Sequence, residues 1–103
     1  MITKARMRRL TKRHLTRMSE EGNKAAKDAA AKILSNDTMK EALDVHMLSE
    51  FKKRELAGDK AFKGILDGDG ETPILDWLWA HKDEILKFVL SIIALFAAVC
   101  QLT

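Results

Sequence analysis

Residues 85–103 read "ILKFVLSIIALFAAVCQLT", a run with one charge, Lys87, and no Gly or Pro. From Phe88 to Cys100 only Ser91 is polar, so the helix this run predicts is apolar on every side and demands apolar surroundings. Lipid and neighbouring protein both qualify. Counting from Ile85, with the Lys87 ammonium snorkelling outward on its four-carbon stem, the candidate span is 85–102, just within the length that crosses a bilayer core. Phe88, Val89, Leu90, Ile92, Ile93, Leu95, Phe96 and Val99 are its expected membrane-embedded residues.

The flank fits a membrane–water boundary, where aromatic and charged side chains collect. Trp77, Trp79, Lys82 and Lys87 are the expected interface residues, and Asp83 and Lys87 stand four apart, as an exposed helical ion pair would. Working backwards, Thr72-Pro73 predicts a helix start, with Thr72 as cap and proline at the first helical position. Nothing breaks the pattern after Pro73, so one helix over 73–103 is expected, about 46 Å long at 1.5 Å per residue.

Before it, "DGDGE" (67–71) predicts a flexible acidic hinge over 67–72. It is no calcium loop. Counting from Asp67 puts Thr72 where the required Gly belongs and Leu78 where the bidentate Glu belongs. An amphipathic helical region occupies 23–66. Asn23 is its first candidate cap, "SND" (35–37) its break, and Asp37 the cap of a helix whose apolar face is Met39, Ala42, Leu43, His46, Met47 and Phe51.

Residues 1–22 predict a basic helix that stops at Gly22, a residue suited to the left-handed cap. Its first nineteen residues carry +7 from Lys4, Arg6, Arg8, Arg9, Lys12, Arg13 and Arg17 and contain no acid, although the chain as a whole is only +3. Arg6, Arg9, Arg13 and Arg17 recur at three- and four-residue steps and form a ridge, next to a strip of Met7, Leu10, His14 and Met18. A ridge of this kind binds phosphate oxygens of nucleic acid without reading bases, lies on anionic headgroups, or balances acids of its own chain. With no aromatic among the arginines to stack on bases, any nucleic-acid contact is non-specific.

Composition favours an all-α fold: one Pro, no Tyr, and abundant Ala, Leu, Lys, Glu and Met. Chemistry finds little purchase. The single Cys100 sits in the apolar tail, His14, His46 and His81 lie on separate helices, none has a convincing second ligand at i+3 or i+4, with Glu50, four after His46, the nearest candidate, and no phosphate-binding glycine motif occurs. The expectation is a non-enzymatic protein without metal, cofactor or small-molecule substrate. It is read as a single-span structural anchor with its N-terminus on the cytoplasmic or particle-interior side, and its partners as membrane lipid, other subunits or copies of itself, and non-specific nucleic acid. In architecture it resembles the minor membrane proteins of lipid-containing bacteriophage virions, which implies a basic segment facing the genome. The alternatives are a soluble oligomeric helical assembly with buried C-terminal helices, and a holin-like membrane-permeabilising protein.

Overall fold

A computed structural model describes residues 2–68 and 70–102, with side chains through Val99. The described residues form six helices and no strand: α1 (Lys4–Glu21), α2 (Lys24–Leu34), α3 (Asp37–Leu56), α4 (Lys60–Asp67), α5 (Thr72–Ala80) and α6 (Lys82–Leu102). The all-α expectation holds.

Short polar side chains set most of the starts. Thr3 Oγ1 accepts the Arg6 amide, Asn23 Oδ1 the Ala26 amide, Asn36 Oδ1 the Met39 amide, and Asp59 Oδ1 the Phe62 amide. Asn36, not Asp37, therefore caps α3, and Asp37 becomes the first-turn acid that favours the positive end of the helix. Gly22 also differs from expectation. Its backbone is extended (φ −72°), and glycine is needed there because a Cβ would stand 2.6 Å from the Met18 carbonyl oxygen and 2.8 Å from the Ala26 Cβ. The α1–α2 corner is closed by this contact, without a left-handed turn.

The expected single helix over 73–103 is divided at His81, whose φ and ψ are −103° and 23°. Its amide donates back to the carbonyls of Trp77 (3.1 Å) and Leu78 (3.2 Å), and its ring stacks on Trp77 with centroids 3.9 Å apart. No breaker residue marks the site. Tertiary packing overrides local propensity: α5 lies against α1 and α4, while α6 must run along α2 and α3. Thr72 is the first residue of α5, and Glu71 occupies the cap position without bonding an amide through its side chain.

The packing places α2 and α3 between α1 and α6. Both outer helices contact both inner ones, whereas the backbones of α1 and α6 stay apart. They stand diagonally across the bundle, and at one end Met18 and Glu21 of α1 border the same pocket as Lys82 and Leu86 of α6. α6 is antiparallel to α3, with Glu84 3.6 Å from Arg54 and Phe88 edge-on to His46 at 4.6 Å. The core takes Met7, Leu10, Leu15 and Met18 from α1, Leu43, Met47 and Phe51 from α3, Ile74 and Leu78 from α5, and Ile85 and Val89 from α6. Phe51, Phe62 and Trp77 meet in one aromatic cluster beneath α4.

Candidate functional site

α6 is the element whose environment is incomplete. Its inner stripe, Ile85 and Val89, is fully buried in the core, with Leu86, Phe88, Ile92, Ile93 and Phe96 half-buried alongside. Its outer side is left to solvent: Leu90 is 47% exposed, Leu95 58% and Val99 53%, with Ala94, Ala97 and Ala98 exposed between them. The chain thus covers one half of a helix that is apolar all round. Of the residues expected in lipid, Val89 is withdrawn into the protein's own core, and Leu90, Leu95 and Val99 are the most available.

Among the described residues no helix is long and apolar enough to cross a membrane. Lys82, Asp83, Glu84 and Lys87 crowd the start of α6, and the candidate span 85–102 ends on residues 100–102, whose side chains lie outside the described set. The interface residues are also engaged within the chain. Trp77 packs between Phe51, Phe62 and His81, with the Arg54 guanidinium 5.1 Å from its ring. Trp79 lies beneath Arg17 at 4.1 Å and Lys82 at 5.1 Å. Glu84 pairs with Arg54, and the expected Asp83–Lys87 ion pair is not among those of the described residues.

The arginine ridge of α1 runs along the surface beside the segment that joins α4 to α5, with Arg9 and Arg13 exposed and Arg6 and Arg17 half-buried. Arg6 donates to the Leu66 carbonyl at 2.7 Å, Arg9 and Arg13 both grip the Glu71 carboxylate, and Arg17 pairs with Glu21 at 3.0 Å and reaches Asp76 at 4.0 Å. One acid of the 67–72 segment, Glu71, is a docking point: hydrogen bonds from Arg9 and Arg13 hold its carboxyl below its ordinary range. Asp69 lies outside the described residues. Lys4 pairs with Glu41 at 3.2 Å on the surface, and Arg8 and Lys12 are exposed without an ion pair among the described residues.

Two buried polar groups were not singled out by sequence reasoning as a site. His14 sits on the inner side of α1, 2% exposed, with both ring nitrogens lacking a hydrogen-bond partner. Burial first, and the nearby Arg17 charge second, depress its pKa from 6.5 to about 4, so the ring is neutral. Asp44 is equally buried but paired: Lys40 Nζ donates to its two oxygens at 2.6 and 2.8 Å and to the Arg8 carbonyl at 3.2 Å. Burial holds the Asp44 carboxyl above its ordinary range despite the pull of Lys40. The i,i+4 spacing of Lys40 and Asp44 is visible in sequence, and the burial that gives it weight is not.

Among the described residues no group of three or more His, Cys, Asp or Glu is placed to hold a metal ion. His46 packs on Phe88, Glu50 faces Lys53 at 3.4 Å, and the Ser91 hydroxyl bonds back to the Lys87 carbonyl. Set beside known proteins, the chain matches no family model, no curated protein and no solved structure, so its functional reading rests on its own residues.

Proposed function

We propose that this chain is a non-enzymatic anchoring module whose helical head is held to a lipid surface by the outer side of α6. One observation carries the reading: from Phe88 to Val99 only Ser91 of α6 is polar, and the fold covers only the helix's inner stripe. Area favours lipid over a second copy of the chain. The uncovered side, about 20 Å long and 10 Å wide, offers roughly 200 Å², against about 800 Å² per partner in a standard protein interface. Insertion into lipid has no such threshold, because affinity grows continuously with the apolar area buried.

With the bundle intact, α6 lies lengthwise in the interface, its apolar side sunk about 5–10 Å below the headgroups. A single-pass arrangement requires α6 to leave α2 and α3. Each fully buried aliphatic side chain is worth about 1.5–3 kcal/mol, and detaching α6 returns the apolar faces of α2 and α3 to water. The lengthwise arrangement avoids that cost.

Seating α6 on lipid leaves α1 diagonally across the bundle from the attached helix. The exposed Arg8 and Lys12 then face the interior of a cell or particle, where nucleic-acid phosphates are the anionic partner of suitable chemistry.

Flotation with phosphatidylcholine vesicles tests the proposal. The natural chain is expected to float, and the double variant Leu90→Glu/Leu95→Glu to partition about a hundredfold less, from two lost insertions and two charges brought to the apolar boundary. Both positions are half-exposed, so helicity by circular dichroism should not change. Equal flotation of the two proteins would remove α6 from the attachment.

A further inference from the structure

Arg8 and Lys12 stand one helical turn apart on the exposed side of α1, and Arg9 and Arg13 form a parallel row beside them. The two rows differ in what holds them. Arg8 and Lys12 have no ion pair among the described residues, whereas Arg9 and Arg13 share the single carboxylate of Glu71, Arg13 at 2.6 Å. Glu71 thus covers half of a patch of four contiguous cations.

Three observations mark this contact as reversible. The Arg9 and Arg13 side chains are each 56% exposed, so phosphate oxygens from solution reach them while Glu71 is still bound, and exposed ion pairs are individually weak. Glu71 also has a second place to go. It occupies the cap position of α5, whose first-turn amides take no bond from its side chain, and a carboxylate there is favoured by the positive end of the helix. Gly70, next to it, takes a φ of 83°, and no atom lies within 4 Å of the place a Cβ would occupy, so the approach to Glu71 has room to turn. Arg6 holds the end of α4 independently, through the Leu66 carbonyl at 2.7 Å, and keeps that helix docked when Glu71 leaves.

We propose that Glu71 is a displaceable latch on α1, masking Arg9 and Arg13 until nucleic-acid phosphates take its place. The inference rests on the reading of α1 as the side that meets nucleic acid. A polyanion engages Arg8 and Lys12 first and delivers its next phosphates to Arg9 and Arg13 at high local concentration, whereas a lone anion must compete with Glu71 unaided. Displacement exchanges one carboxylate for two phosphates, each accepting from a guanidinium fork, and releases the counterions they carried. Asp67 borders the same hollow as Glu71, and a polyanion repels both acids, which adds to the drive for release. A latch closed about nine-tenths of the time lowers the apparent affinity about tenfold.

The test is fluorescence anisotropy of a labelled DNA duplex of about 20 base pairs, titrated with the full chain at several salt concentrations. Glu71→Gln is expected to bind about tenfold more tightly than the natural chain, with a log–log salt dependence steeper by about two, one for each freed guanidinium. Its helicity by circular dichroism should not change, since the Glu71 side chain bonds no amide of α5. Asp28→Asn makes the same charge change on the exposed side of α2 and should move the affinity less than about twofold. In an Arg9→Gln/Arg13→Gln background Glu71→Gln should be nearly silent, because nothing is left to unmask. Unchanged affinity and slope on Glu71→Gln, an equal gain from Asp28→Asn, or the same gain in the Arg9→Gln/Arg13→Gln background overturns the latch and leaves the nucleic-acid reading of α1 in place. No saturable binding by either the natural chain or Glu71→Gln overturns both.

Discussion

Lowering the pH from 7 to 4 is expected to cost the folded state about 3 kcal/mol through His14 alone. Burial, aided by Arg17, brings the folded pKa of this ring from 6.5 to about 4. Between those two values the unfolded chain takes a proton that the native state refuses, so stability falls as pH drops through the window and levels off below it. Two and a half pH units at 1.36 kcal/mol each give the magnitude. His14→Leu removes the titration along with both unpartnered nitrogens, and should be at least as stable as the natural chain at pH 7. Urea unfolding of both proteins at pH 7 and pH 4.5, in phosphate-free buffer, reads the effect as a difference, with every other titrating group common to the pair. Parallel losses of stability would show that His14 is not the acid-sensitive group.

Lys40→Met is expected to destabilise the fold by about 3–5 kcal/mol at pH 7, the range for stripping one partner from a buried ion pair. An exposed pair would cost less than about 1 kcal/mol. The difference follows from Asp44, which is 2% exposed and would keep a carboxylate in the core without the ammonium now 2.6 Å away. Burial already raises the Asp44 pKa above its ordinary value, and losing Lys40 pushes it further up. A carboxyl whose folded pKa is raised confers stability below its unfolded pKa that is lost as pH rises. The Lys40→Met deficit should accordingly shrink when pH is lowered from 7 toward 4. Adding Asp44→Leu should recover most of the loss, because the orphaned charge goes with it. A deficit below 1 kcal/mol, or no rescue by the second substitution, would place this pair among ordinary surface contacts.

Much of the scaffold was legible in the sequence because local chemistry decided it. Asn23 caps α2, the apolar spacing of Met39, Leu43, Met47 and Phe51 gives the buried face of α3, and "SND" breaks the chain where it was expected to. Decisions made by packing were not legible. Nothing in Ala80-His81-Lys82 disfavours helix, yet α5 ends there because α6 must cross to α2 and α3. The regular spacing of Arg6, Arg9, Arg13 and Arg17 suggested an outward arm, whereas the fold brings Leu66, Glu71 and Asp76 against it and engages most of the ridge within the chain. Gly22 was correctly placed as a corner for the wrong reason, since the approach of Met18 and Ala26 requires it and its backbone is extended. The candidate attachment surface was half legible: the tail's all-round apolarity was evident, and which half the molecule covers was not.

Attachment through α6 puts its outer side in apolar material while Lys12 of α1 stays in water. Power-saturation electron paramagnetic resonance with single nitroxide labels tests it most directly, with Leu95→Cys in a Cys100→Ser background compared with Lys12→Cys in the same background. With vesicles present, the label at 95 is expected to collide more often with oxygen and less often with a water-soluble nickel complex, while the label at 12 stays as water-accessible as in buffer. A label at 95 that remains equally accessible to the nickel complex with and without vesicles would rule out attachment through α6.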